Sequence, residues 1–151
     1  MNIRLGLSVL LMSTAICWSA RADVPGAHPA FLHALTDLRD ARWNLEHREG
    51  DTRVRAHEEN AVVSIDHAIG EITKAAVEDG KNIYVHPKED AQLDHPGRLH
   101  HALEFLRKAR ADASGEEDNP EVRGLRHRAL EHIDFAIRET ERAIYDVEHN
   151  L

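Results

Sequence analysis

His33-Ala34-Leu35-Thr36-Asp37-Leu38-Arg39-Asp40-Ala41-Arg42 returns 68 positions later as His101-Ala102-Leu103-Glu104-Phe105-Leu106-Arg107-Lys108-Ala109-Arg110. The echo continues at the same offset from Ala61–Ala75 to Ala129–Ala143, with Ile65/Ile133, Asp66/Asp134, Ala68/Ala136, Ile69/Ile137 and Glu71/Glu139 in register. Residues 33–80 and 101–148 share 17 identities over 48 ungapped positions, where unrelated segments share only a few. The chain is read as a tandem duplication, and the unit that was duplicated decides the fold.

Each unit reads as two amphipathic helices. Phe31, Leu35, Leu38 and Leu45 form one stripe, and Val62, Ile65, Ile69, Ile72 and Ala76 form the next. The second unit repeats the pattern with Leu99, Leu103, Leu106 and Ala113, then Leu130, Ile133, Ile137 and Ile144. Pro29, Pro96 and Pro120 suit first turns, the last behind an N-capping Asn119, while Gly50, Gly80 and Gly115 suit helix ends. No stretch alternates apolar and polar residues long enough for a sheet, and Ile83-Tyr84-Val85 is too short for more than an ordered linker. The spacing predicts helices near 29–48, 52–79, 96–114 and 120–148, arranged as an all-α, up-down-up-down four-helix bundle. The repeat units are about 29–80 and 96–148, joined by a linker over 80–95.

Working outward, residues 1–22 read as a signal peptide. Asn2-Ile3-Arg4 is a short basic start, Leu5 to Trp18 an apolar run, and Ala20-Arg21-Ala22 a small-residue cleavage site. The run is too short for a membrane span. Cys17 follows Thr14-Ala15-Ile16, a poor lipoprotein box because isoleucine precedes the cysteine. The domain is then 23–151, periplasmic or secreted. Removing the leader takes two of the 19 basic residues and none of the 27 acidic ones, so the net charge of −8 becomes −10. It also removes Met1, Met12 and Cys17, leaving no sulfur and all twelve histidines.

That composition excludes whole classes of chemistry. Without cysteine there is no disulfide framework, thiol nucleophile, iron–sulfur cluster, c-type haem or thiolate zinc site. Without methionine, methionine-ligated haem and methionine-rich copper(I) sites go too. A net −10 argues against nucleic acid as a partner. Glu-x-x-His, which a di-iron bundle needs on two helices, occurs nowhere, and bis-histidine haem lacks a histidine on the apolar stripes. The zinc-protease pattern fails because His57-Glu58 is followed by Glu59-Asn60-Ala61. Ser64 and Ser114 lack a nucleophile-elbow context, and no glycine-rich phosphate loop is present. The chain reads as non-enzymatic.

In an up-down-up-down bundle the starts of helices one and three share one end with the finishes of helices two and four and with the linker. That end would gather His28, His33, His86, His95, His100, His101 and His149, together with Asp79, Glu89, Asp90, Asp94, Asp146 and Glu148. Imidazole and carboxylate are the ligands that suit copper(II), zinc or nickel. The candidate metal ligands are His28, His86, His95, His100, His101 and His149. His33 and His101 lie opposite their helices' apolar stripes and face water on this reading. His28/His33, His95/His100 and His127/His132 are five apart, about 140° round a helix, so no helix chelates alone and any tight site combines helices or the linker.

Two further pairs stand out. Arg42 and Arg110 match across the repeat and lie beside the apolar stripe, where each needs a carboxylate. Glu58 is a candidate for Arg42, with Asp66 or Asp134 as others, and Glu71 and Glu139 read as residues that orient the helices. Phe105 and Phe135 fall away from the main stripes, where the first unit has Asp37 and His67. They are either buried by a small helix rotation or form an apolar patch for a homodimer or protein partner.

His28-Pro29-x-x-Leu32-His33-Ala34-Leu35-x-x-Leu38-Arg39-x-Ala41-Arg42, with Ile65-Asp66-x-Ala68-Ile69-x-Glu71-Ile72 and Asp79-Gly80-Lys81, resembles a group of short exported bacterial proteins of unassigned activity. That resemblance spans nearly the whole mature chain and implies no function. In architecture and histidine content the chain also resembles the small metal-binding protein family, periplasmic histidine-rich bundles that bind copper and other divalent metals. It departs from that family in lacking densely repeated heptad histidines. Two expectations result. One is an exported bundle that binds or buffers copper, zinc or nickel at the linker end. The other is an envelope interaction or stress module without metal, pH-responsive if clustered histidines charge and repel near pH 6.

Overall fold

The computed structural model describes residues 30–47, 55–88, 92–93 and 97–151. Among them are four helices and no strand: α1 (Phe31–Glu46), α2 (Arg55–Glu78), α3 (Arg98–Ala113) and α4 (Pro120–His149). None is long and apolar enough to cross a membrane. The expected signal peptide, Cys17, Pro29, Gly50 and Pro96 lie outside the described residues.

The caps follow from local chemistry. Asn119 accepts the Glu121 N–H at 3.0 Å, and Pro120, which has no N–H to lose, opens α4. Gly80 closes α2 at φ +70°. Its N–H reaches the Val77 carbonyl at 3.0 Å and the Lys81 N–H reaches that of Ala76 at 2.8 Å. This closure needs one left-handed residue, which glycine supplies without a Cβ clash.

The up-down-up-down order does not hold. The Ala30 N–H at the start of α1 donates to the Asp112 carbonyl at the finish of α3 (2.9 Å). At the other end Arg98, opening α3, donates to the Asn44 carbonyl at the finish of α1 (3.3 Å). α1 and α3 are therefore antiparallel neighbours. α2 and α4 are too, since His57 meets Glu139 at 2.8 Å and Glu71 meets Arg128 at 2.8 Å. Within each hairpin, Arg42–Asp66 (2.7 Å) and Arg110–Asp134 (2.5 Å) join consecutive antiparallel helices. The directions run up-down-down-up, with α1/α4 and α2/α3 on the diagonals.

Two features account for this order. The connection from Glu78 to Arg98 has nineteen residues, which can reach about 60 Å when extended. A 16-residue helix is only about 24 Å long, so the chain can return along the bundle. Its residues 86–87 lie beside α1, where Thr36 Oγ1 donates to the Pro87 carbonyl (3.3 Å) and Arg39 Nη1 to His86 Nδ1 (3.2 Å). Second, duplicated hairpins carry the same apolar face, and two copies of one face meet most simply about a two-fold axis. The contacts obey that symmetry, since 30/98, 44/112, 60/128 and 71/139 are matching repeat positions.

The core is built from the expected stripes. Phe31, Leu35, Leu38, Leu45, Ile65, Ile72, Leu106 and Ile133 are fully buried, and alanines such as Ala61, Ala68, Ala129 and Ala136 let the helices approach. Phe105 is 3% exposed in the core while Phe135 is 40% exposed. The exposed patch expected to join the two rings is not formed, because the α1–α3 pairing covers Phe105 and leaves Phe135 outside. The α1–α3 register brings Phe105 level with Asp37, its matching residue, close to the two-fold axis.

Candidate functional site

The topology divides the predicted ligands. One end of the bundle holds the start of α1, the finish of α2, the finish of α3 and the start of α4. The other end holds the finishes of α1 and α4 and the starts of α2 and α3. His86 is exposed on the returning segment against Arg39, whereas His100, His101 and His149 lie at the second end. His28 and His95, with Glu89, Asp90 and Asp94, lie outside the described residues. His33 is at the first end, half-buried rather than facing water, with no hydrogen-bond partner for its buried Nδ1. The single seven-histidine end therefore does not form. Among the described residues no three His, Cys, Asp or Glu side chains converge as a metal cage.

Two histidine–carboxylate pairs do form at the second end. His100 Nε2 stands 3.8 Å from Glu148 Oε1 across α3 and α4, beside a groove of about 290 Å³ lined by Gly97, Leu99, Ile144 and Val147. His57 Nε2 stands 3.7 Å from Asp146 Oδ2 across α2 and α4. His149 stacks on Tyr145 with ring centres 3.9 Å apart, its Nδ1 donating to the Tyr145 carbonyl at 2.8 Å. His47 stacks on Trp43 in the same way at the finish of α1 (4.3 Å). His101 sits half-buried in the first turn of α3.

Glu139 anchors the second pair. Its side chain is 2% exposed and accepts from His57 Nδ1 (2.8 Å), Asn60 Nδ2 (3.2 Å) and Arg142. Burial alone would push its carboxyl up. The hydrogen bonds from His57 and Asn60, with the charges of Arg142 and His57, outweigh burial and hold it below the usual carboxylate range. Glu139 is thus ionised at neutral pH, as a buried acceptor with three donors should be.

In the sequence Glu139 reads only as a residue that orients the helices, and His57 stands out only in the failed zinc-protease pattern. The available signal was the repeat itself: His57 stands where the second unit has Leu125, while the carboxylate is kept in both. Arg42 also proved simpler than expected. It pairs within its own hairpin with Asp66 and with Glu46 (3.0 Å), and Glu58 instead takes Arg98. Comparison with known proteins adds no neighbour: no family model, curated protein or solved structure matches the chain.

Proposed function

We propose that this is an exported, non-enzymatic helical bundle that binds a divalent transition metal, copper, zinc or nickel, at the end where α1 and α4 finish. The observation that supports it is the 3.8 Å separation of His100 Nε2 and Glu148 Oε1. That gap is too wide for a hydrogen bond and close to the span of two ligands sharing one ion, with bonds of about 2.0–2.2 Å. Both side chains are open to solvent, at 36% and 57%, which suits exchange and buffering rather than a closed structural site. Calorimetric titration of the protein with Cu(II), Zn(II) and Ni(II) is expected to show saturable binding tighter than about 10 μM, near −7 kcal/mol. Binding should weaken in His100→Ala and Glu148→Gln. Absence of such binding overturns the reading.

A second reading, an interaction module of the envelope without metal, draws on one observation. Trp43 and Val63 are each 56% exposed on the first hairpin, where the second carries Ala111 and Glu131. On that reading Val63→Glu abolishes cross-linking to an envelope protein while metal titrations stay unchanged.

A further inference from the structure

His57 is set up differently from the other histidines. A carboxylate only accepts, so the 2.8 Å contact with Glu139 Oε2 places a proton on His57 Nδ1. In the neutral imidazole the lone pair is then on Nε2, the nitrogen that faces Asp146 Oδ2 across 3.7 Å. That distance is beyond a hydrogen bond. Metal–nitrogen and metal–oxygen bonds of about 2.0–2.2 Å at a tetrahedral angle put the two donors about 3.4 Å apart, a small side-chain adjustment away. The buried Glu139 behind Nδ1 supplies what metal-binding histidines need, a partner that fixes tautomer and ring orientation. Asn60 and Arg142 hold that carboxylate in turn, and Arg142 is directed at its other oxygen, Oε1. His57 and Asp146 are 32% and 23% exposed, so an ion can enter and water can complete its shell.

We propose that His57 Nε2 and Asp146 Oδ2 bind a divalent transition metal across the α2–α4 seam, with Glu139 as the positioning residue. One nitrogen and one carboxylate oxygen favour zinc, copper(II) or nickel over calcium and magnesium. This site shares no ligand with His100 and Glu148 and stands without them. Because α2 belongs to the first hairpin and α4 to the second, the ion binds the docked hairpins and stabilises them by mass action.

The test is Zn(II) titration of the full protein by calorimetry, with urea unfolding run with and without Zn(II). Asp146→Asn, which keeps side-chain size, is expected to lower the affinity of one site at least tenfold while leaving the metal-free unfolding midpoint nearly unchanged. His57→Ala should lower that affinity too, with some loss of metal-free stability because the buried Glu139 loses a donor, and Glu139→Gln should cost 10–100-fold, in line with lost outer partners of metal ligands. If Glu139→Gln does not fold, Asp146→Asn still decides. In nitrogen-detected NMR, Zn(II) should move the His57 Nε2 resonance more than Nδ1. Wild-type affinity and stoichiometry in both Asp146→Asn and His57→Ala would overturn the seam site, whereas loss only in His100→Ala would do so and leave the first reading standing. Loss only in the seam variants upholds the site and removes the His100–Glu148 location. No saturable Zn(II) binding by the wild type overturns both.

Discussion

Glu71 and Glu139 occupy matching positions in the two repeats, and each reaches across the α2–α4 seam, but their surroundings differ. Glu71 takes two hydrogen bonds from Arg128, at 2.8 and 3.1 Å, with Lys74 at 3.8 Å. At the Glu139 end Asn60 stands in place of Arg128, Arg142 in place of Lys74, and His57 in place of Leu125. One carboxylate is closed off by a guanidinium. The other holds an imidazole whose far nitrogen looks onto a second carboxylate. The duplication kept the acceptor and changed the donors, so the chemical difference between the halves rests on a few side chains over an unchanged backbone plan.

The largest expected effect tests matched positions at the bundle axis. Phe105→Ala should destabilise by about 3–5 kcal/mol, as for other large-to-small core changes. Phe135→Ala should cost about 1 kcal/mol or less in the same urea experiment. Similar costs for both would mean that α4 turns its ring inward.

Next comes the seam. Glu139→Ala strands three donors beside a buried site and should cost about 2–3 kcal/mol. Glu71→Ala, whose Arg128 partner is 54% exposed, should cost under about 1 kcal/mol. Equal losses would erase the distinction between the two ends.

Acid titration sharpens the same contrast. The folded-state pKa of Glu139 lies below its ordinary value of 4.5, so its stabilising contribution is complete above that pH. It is lost as pH falls through the depressed folded value. Unfolding free energies measured from pH 6 to pH 2.5 should fall less steeply for Glu139→Gln than for the wild type below about pH 4.5. Superimposable acid limbs would contradict the assignment. The smallest effects should come from Arg42→Ala and Arg110→Ala, whose exposed pairs with Asp66 and Asp134 match across the repeat. Each should cost about 0.5 kcal/mol, and the two should agree.

Helix content, the core stripes, the Asn119-Pro120 start and the Gly80 stop were legible because each depends on residues within one or two turns of each other. Direction was not, because it depends on which surfaces meet. The clue was the linker over 80–95, far longer than the few residues that usually join antiparallel neighbours. Read beside the repeat, that length points to hairpins docked head to tail. The histidine site inherited the error: with α3 reversed, His86 parts from His100, His101 and His149. His57 and Asp146 are 89 positions apart, and only the true pairing of α2 with α4 brings them together.

The returning segment beside α1 has an evolutionary consequence. In a homodimer of single hairpins, every substitution appears twice, on both sides of the axis, and each improvement at one site is imposed on its twin. Tethering the hairpins in one polypeptide removes that obligation and keeps the partners together at any dilution. Asn60 could then diverge from Arg128, and His57 from Leu125, without a second copy of the change on the opposite face. The crossover is what permits a fold with two equivalent ends to have only one that differs.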